Sequence, residues 1–157
     1  MKPPMLLIAI VTVALFAAGC DIGDNEEFRV PEGFHGRVLI LFDRADGAAK
    51  EYDWRTRIYK IPSDGFLKTQ FGINDGWHAM PKVFYVGNAQ YEVPFLLEPN
   101  RSDTVALYAC CVTDGSFQKD ASTKQFRYEQ FYIGTREQIN AASKQVEREN
   151  LGQYSEP

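Results

Sequence analysis

Arg37-Val38-Leu39-Ile40-Leu41-Phe42 decides the fold. Successive side chains of a strand point to opposite faces, so a strand with one wet face alternates apolar and polar residues. Five consecutive apolar residues after Arg37 leave neither face polar. That pattern predicts a central strand. Upstream, Phe28 to Gly36 reads as a short extended start and a turn fixed by Pro31, Gly33 and Gly36. Downstream, Asp43 to Lys50 reads as a polar loop carrying Asp46-Gly47, and Glu51 to Ile61 as a longer, more polar strand.

The rest of the chain repeats this rhythm. Pro62-Ser63-Asp64-Gly65 is turn chemistry, because Pro presets φ and Gly accepts positive φ. Phe66 to Phe71 is then expected to return antiparallel. A loop over 72–81 carries a second turn at Asn74-Asp75-Gly76. Lys82 to Val86 reads as a strand, Gly87-Asn88 as a tight hairpin turn, and Tyr91 to Leu97 as its return, with Pro94 marking an edge or a bulge. Thr104 to Thr113 is a second two-faced apolar strand, Asp114 to Lys124 a polar loop, and Phe126 to Ile133 the last strand. One helix follows. Thr135 and Gln138 have capping-box spacing, Ile139, Ala142 and Val146 share a face, and Gly152 is its stop. The expected fold is mainly β: an antiparallel β-sandwich, immunoglobulin-like or transthyretin-like, or a partly open barrel, with one C-terminal helix.

The N-terminus differs in kind. Lys2 precedes an apolar run from Met5 to Ala18 broken only by Thr12, and Phe16-Ala17-Ala18-Gly19-Cys20 closes it. The run is short of the roughly 20 residues needed to span a bilayer as a helix. It has the three-part layout of a secretory signal. Small residues before the cut let a peptidase grip an extended backbone. The segment resembles a bacterial lipoprotein signal with its lipobox, although Ala17 stands where Leu is most common. That resemblance implies cleavage after Gly19, removing residues 1–19, and acylation of Cys20. Acyl chains contribute about 0.8 kcal/mol per buried methylene, so two or three anchor a protein stably. The bland alternative is an ordinary signal that leaves Cys20 a plain thiol. Asp21 resembles an inner-membrane retention signal of diderm lipoproteins, or else it opens an acidic tether. Residues 20–27 read as that tether, at most about 25 Å long from Asp21 to Glu27. The domain is expected over 28–151, with a tail at 152–157.

Without residues 1–19 the chain has 138 residues, enough for one domain with its own core. It then carries 16 basic and 21 acidic residues with no basic stripe, which argues against nucleic-acid binding. Eleven Phe and eight Tyr suit strands. No internal repeat is visible.

Val30-Pro31-Glu32-Gly33-Phe34-His35-Gly36-Arg37-Val38-Leu39-Ile40, followed by Ile61-Pro62-Ser63-Asp64-Gly65-Phe66-Leu67-Lys68-Thr69, resembles an uncharacterised family of small bacterial exported and lipoprotein domains. The likeness covers most of residues 28–134. It rests on turns and strands and implies no activity. A looser likeness to transthyretin-like or immunoglobulin-like exported modules hints at fold alone.

Candidate sites are few. With Cys20 lipidated, Cys110 and Cys111 are the remaining thiols. Strand neighbours point to opposite faces, so a vicinal disulfide would need a local distortion; the other reading is two buried hydrophobes. His35 and His78 are distant in sequence and make a poor zinc pair. Trp77, with His78 beside it in the Gly-rich loop, is the best position for ligand contact. Asp43, Asp46, Asp64 and Asp75 stand near turns, and Asp43-Arg44-Ala45-Asp46-Gly47 lacks the later ligands of a calcium loop. No metal or cofactor is expected. The expected function is a non-enzymatic binding or interaction module, held on the outer face of the cell membrane by its lipid, with an envelope protein as one potential partner. The alternatives are an envelope hydrolase or thiol-redox protein using Cys110, Cys111, His35 or His78, and a passive structural lipoprotein.

Overall fold

The computed structural model describes residues 22–87, 90–97, 103–108, 112–118 and 125–146. Cys20, Asp21, Cys110, Cys111 and Gly152 lie outside them, as do the 1–19 leader and the 152–157 tail.

Two sheets pack face to face. The first contains β1 (Asn25–Pro31), β3 (Glu51–Asp53), β4 (Thr56–Lys60), β6 (Lys82–Val86) and β7 (Tyr91–Glu92), in the order β3-β4-β1-β6-β7. The second contains β2 (Gly36–Leu41), β5 (Phe66–Lys68), β8 (Phe95–Leu96), β9 (Ala106–Tyr108), β10 (Thr113–Phe117) and β11 (Phe126–Gly134). Its order is β5-β2-β11-β9-β8, with β10 also paired to β11. A single described helix, α1 (Arg136–Val146), follows β11. The mainly β sandwich with a C-terminal helix is therefore present, and the sheets do not close into a barrel.

The pairing is mixed rather than antiparallel throughout. β1 pairs in parallel with both β4 and β6, and β2 pairs in parallel with β5. The reason lies in the turns. Pro31-Glu32-Gly33-Phe34 closes with Phe34 N–H donating to the Pro31 carbonyl at 3.0 Å. Pro62 to Gly65 closes likewise at 3.0 Å. Each turn carries the chain from the first sheet into the second instead of folding a strand onto its neighbour. β6 returns to the first sheet parallel to β1 after β5 in the second, whereas β4 becomes parallel to β1 through the β3–β4 hairpin. Gly65 has φ 77°, and a Cβ there would strike the Arg37 carbonyl, so this arch requires glycine.

Other boundaries also move. Asn25 to Glu27, expected in a tether, form the start of β1 at the centre of the first sheet. Glu51 to Ile61 is a hairpin rather than one strand, turning at Trp54-Arg55. Thr113 to Phe117, expected to be largely loop, is a strand with five pairs to β11. Near Pro94 the chain passes from β7 in one sheet to β8 in the other.

The main core fills the space between the layers. Phe28 and Val30 of β1, Tyr59 of β4 and Val83 of β6 meet Val38, Ile40, Phe131 and Ile133 of the second sheet. Phe28 stacks on Tyr59 at 4.9 Å and meets Phe131 across the layers at 5.0 Å. The second sheet is covered outside too, as the two-faced pattern of 37–42 requires. Leu39 and Leu41 pack with Phe126 there. Nearby, Ile139 and Ala142 of α1 dock on Ala106, Tyr108 and Tyr132. The helix starts as expected: Thr135 N–H donates to Gln138 Oε1 at 2.8 Å, and Gln138 N–H donates to Thr135 Oγ1 at 3.3 Å. The side chain of Val146 lies outside the description.

Removing the ring of Phe28, which is fully buried, empties the junction between the layers. Phe28→Ala is expected to cost about 3–5 kcal/mol, measured as a lowered urea midpoint at unchanged m-value.

Candidate functional site

The site is the end of the sandwich where the chain enters. On β1 the inward row reads Glu26, Phe28, Val30; on β11 it reads Arg127, Glu129, Phe131, Ile133. Both rows change from apolar to charged towards the same end. There the layers enclose a cleft of ≈ 380 Å³, lined by Glu26, Glu129, Asp114, Arg127 and the 73–81 loop.

Glu26 is 5% exposed, and its Oε1 accepts a hydrogen bond from the Tyr59 hydroxyl at 3.0 Å. Burial raises its pKa, offset in part by the Tyr59 hydrogen bond and the charge of His78. Glu129 is pushed up to about 8, first by burial, then by the charges of Glu26 and Asp114. Tyr59 is raised as well, by burial first and then by the Glu26 charge, so its hydroxyl remains a donor. A buried acid held protonated can donate a hydrogen bond or a proton to a ligand, and a buried carboxylate can receive a cationic group. No cluster of three or more potential metal ligands occurs among the described residues.

Arg57 braces this end. Its Nε meets Asp24 Oδ2 at 3.0 Å, its Nη1 donates to the Gly72 carbonyl at 2.7 Å, and its guanidinium lies 5.2 Å from the Phe71 ring centre. Across the mouth, Arg127 makes two hydrogen bonds to Asp75, at 3.2 and 3.3 Å. Both partners are exposed, so this strap contributes little to stability.

Beside the cleft lies a shallow hollow of ≈ 310 Å³, lined in part by Ile22, Trp54, Trp77 and His78. Trp77 is 82% exposed and Trp54 87%. Trp54 has φ 52° in the two-residue turn of the β3–β4 hairpin, where glycine is the ordinary choice. A bulky residue in that conformation costs about 1–2 kcal/mol. The 72–81 loop thus serves both concavities, with His78 lining each.

Trp77 and His78, expected to contact ligand, both line this end of the molecule. His35 lies on the exposed turn between β1 and β2, at the far end of those strands, so the two histidines share no site. Asp75 joins the mouth of the cleft, whereas Asp46 instead pairs with Lys68 and Asp64 caps its own turn. Glu26, Glu129 and Arg57 do not stand out in the sequence as site residues, whereas Trp54 is one of several aromatics that could line a surface, most of which suit core or cross-strand packing. The available signal was parity: Glu26 is two residues from Phe28, and Glu129 two from Phe131, in rows that are otherwise core.

Glu129 couples this site to stability. Its carboxyl stays protonated in the fold at pH values where the unfolded chain has already released that proton. Stability therefore falls as pH rises from about 4.5 to about 8, by up to roughly 1.4 kcal/mol per unit for one proton. Glu129→Gln is expected to flatten this segment of the stability–pH profile and to raise the melting temperature at pH 8.5.

Among the described residues no helix is long and apolar enough to cross a membrane. No curated protein sequence matches the chain significantly. The crystal structure of a candidate lipoprotein from Bacillus anthracis is similar in fold, with a TM-score of 0.54 and 10% identity over 71% of this chain and 70% of the other. A family model described as a family of unknown function matches residues 23–143, from the residue after Ile22 to within the C-terminal helix. The chain belongs to that family of unknown function, DUF6843.

Proposed function

We propose that this protein is a lipoprotein of the bacterial cell envelope. It is acylated at Cys20, held on the extracytoplasmic face of the membrane, and works as a non-enzymatic binding module. In a diderm host, Asp21 favours the inner membrane. The lipobox-like Phe16-Ala17-Ala18-Gly19-Cys20 supports the anchor. The Bacillus anthracis neighbour, itself described as a candidate lipoprotein, is in keeping with it. The observation that carries the binding reading is the open, partly charged cleft between the layers, with Glu26, Glu129 and His78 converging on it. Its chemistry suits a small ligand bearing a positive or hydrogen-bonding group.

One observation favours a second reading, an envelope hydrolase. A carboxyl held near 8 beside another raised carboxyl is the arrangement of a general acid. This reading uses the two glutamates; Cys110 and Cys111 lie outside the described residues.

Two measurements test the proposal. Labelled palmitate is expected to enter the wild-type chain and not Cys20→Ala, which should leave the membrane fraction. A compound that raises the melting temperature of the protein is expected to lose that effect in Glu26→Gln and His78→Ala and to be recovered unchanged after incubation. Conversion of the compound, abolished by Glu129→Gln, would establish the hydrolase instead.

A further inference from the structure

The chain enters the fold with almost no slack. Ile22 forms a parallel bridge with Trp77, and Gly23 N–H donates to the Trp77 carbonyl at 3.0 Å. Asp24 and Asn74 exchange two hydrogen bonds, at 3.0 and 2.7 Å. Asn25 N–H donates to the Arg55 carbonyl at 3.0 Å. The first residues are thus tied to both loops that carry the tryptophans. Cys20 is two residues before Ile22, a reach of at most about 7 Å between Cα atoms.

We infer that the face formed by Ile22, Trp54 and Trp77 rests in the headgroup region of the bilayer to which Cys20 is attached. The inference rests on the lipid-anchor reading. Three observations carry it. First, these three side chains are among the most exposed large apolar groups described, at 69%, 87% and 82%, and all line one hollow. Second, the covalent reach from Cys20 is shorter than the width of the domain, so acyl chains in the membrane draw this face to the surface. Third, the face differs in charge from the rest of an acidic protein: the residues lining the hollow include Arg55 and no carboxylate. Tryptophan suits the position because its ring is apolar while its N–H stays hydrated, which places it at membrane interfaces. Trp54 keeps its left-handed backbone in a turn that points into solvent, a conformation with no packing reward inside the domain. The carboxylate cleft lies alongside this face and would open close to the membrane surface.

The chain has only two tryptophans, Trp54 and Trp77, so its indole fluorescence reports on this face alone. The full-length lipidated protein is reconstituted in phosphatidylcholine–phosphatidylglycerol vesicles, with and without bromine on the upper part of the acyl chains. The expected result is a blue-shifted emission that loses most of its intensity with brominated lipid and resists iodide in the buffer. Trp54→Phe and Trp77→Phe, each leaving one reporter, should both retain that quenching. Emission that ignores bromine and is quenched by iodide, from protein that still floats with the vesicles, overturns the inference and leaves the anchor standing. A blue shift without bromine quenching also overturns it, because the face is then covered by protein. Wild-type protein that does not float overturns the anchor reading and this inference with it.

Discussion

The strand Asn25–Pro31 has neither a free edge nor a free inner face, and the architecture is arranged around that fact. Both edges are taken by parallel partners, β4 and β6. Its inner side chains, Phe28 and Val30, are fully buried between the layers. Phe28 joins the sheets because its ring meets Tyr59 of its own layer and Phe131 of the other. Such aromatic pairs add about 0.5–1.5 kcal/mol beyond the area they bury. A first strand can take the centre of a sheet only if later strands arrive on both sides of it. The arches at Pro31–Phe34 and Pro62–Gly65 achieve this by sending the chain through the opposite layer between visits.

The space between the sheets is not uniform. At the far end it is closed by aromatic and branched side chains, and at the near end by Glu26, Arg57, Asp24, Arg127 and Glu129. Burying carboxyls costs stability, and leucines in the same rows would pack without that cost. Arg57 offsets part of it for Asp24, and the Tyr59 hydroxyl for Glu26. Glu129 instead faces the charges of two acids, Glu26 and Asp114. A cleft that departs from the cheapest core in this way is where function is expected to reside.

Much of this was legible from residue types, and the exceptions have physical causes. The two-faced run from Val38 to Phe42 correctly demanded cover on both sides, and Thr135 with Gln138 correctly marked the helix start. Pairing direction was not legible. A turn such as Pro62-Ser63-Asp64-Gly65 has the same chemistry whether it folds a hairpin or arches between sheets, and only the partners across space decide. The strand Thr113–Phe117 was hidden because Asp114, Gly115 and Ser116 are poor strand formers. The ladder to β11 overrides that preference, and the Tyr128 ring occupies the space where Gly115 lacks a Cβ. Glu26 was hidden by its setting in an acidic run, Asp24-Asn25-Glu26-Glu27, that reads as solvated tether. Counting by twos back from Phe28 separates the inward, buried Glu26 from Glu27 on the other face, where it pairs with Arg29.

The placement of β1 also has a mechanical meaning. A pull on the N-terminus runs along the strand and loads its hydrogen bonds to β4 and β6 in shear. The five residue pairs on each side then share the force and must yield together. An edge strand pulled across its ladder would instead unzip pair by pair. The end where β1 begins is therefore held by two ladders acting side by side rather than by a row of bonds that can open one at a time.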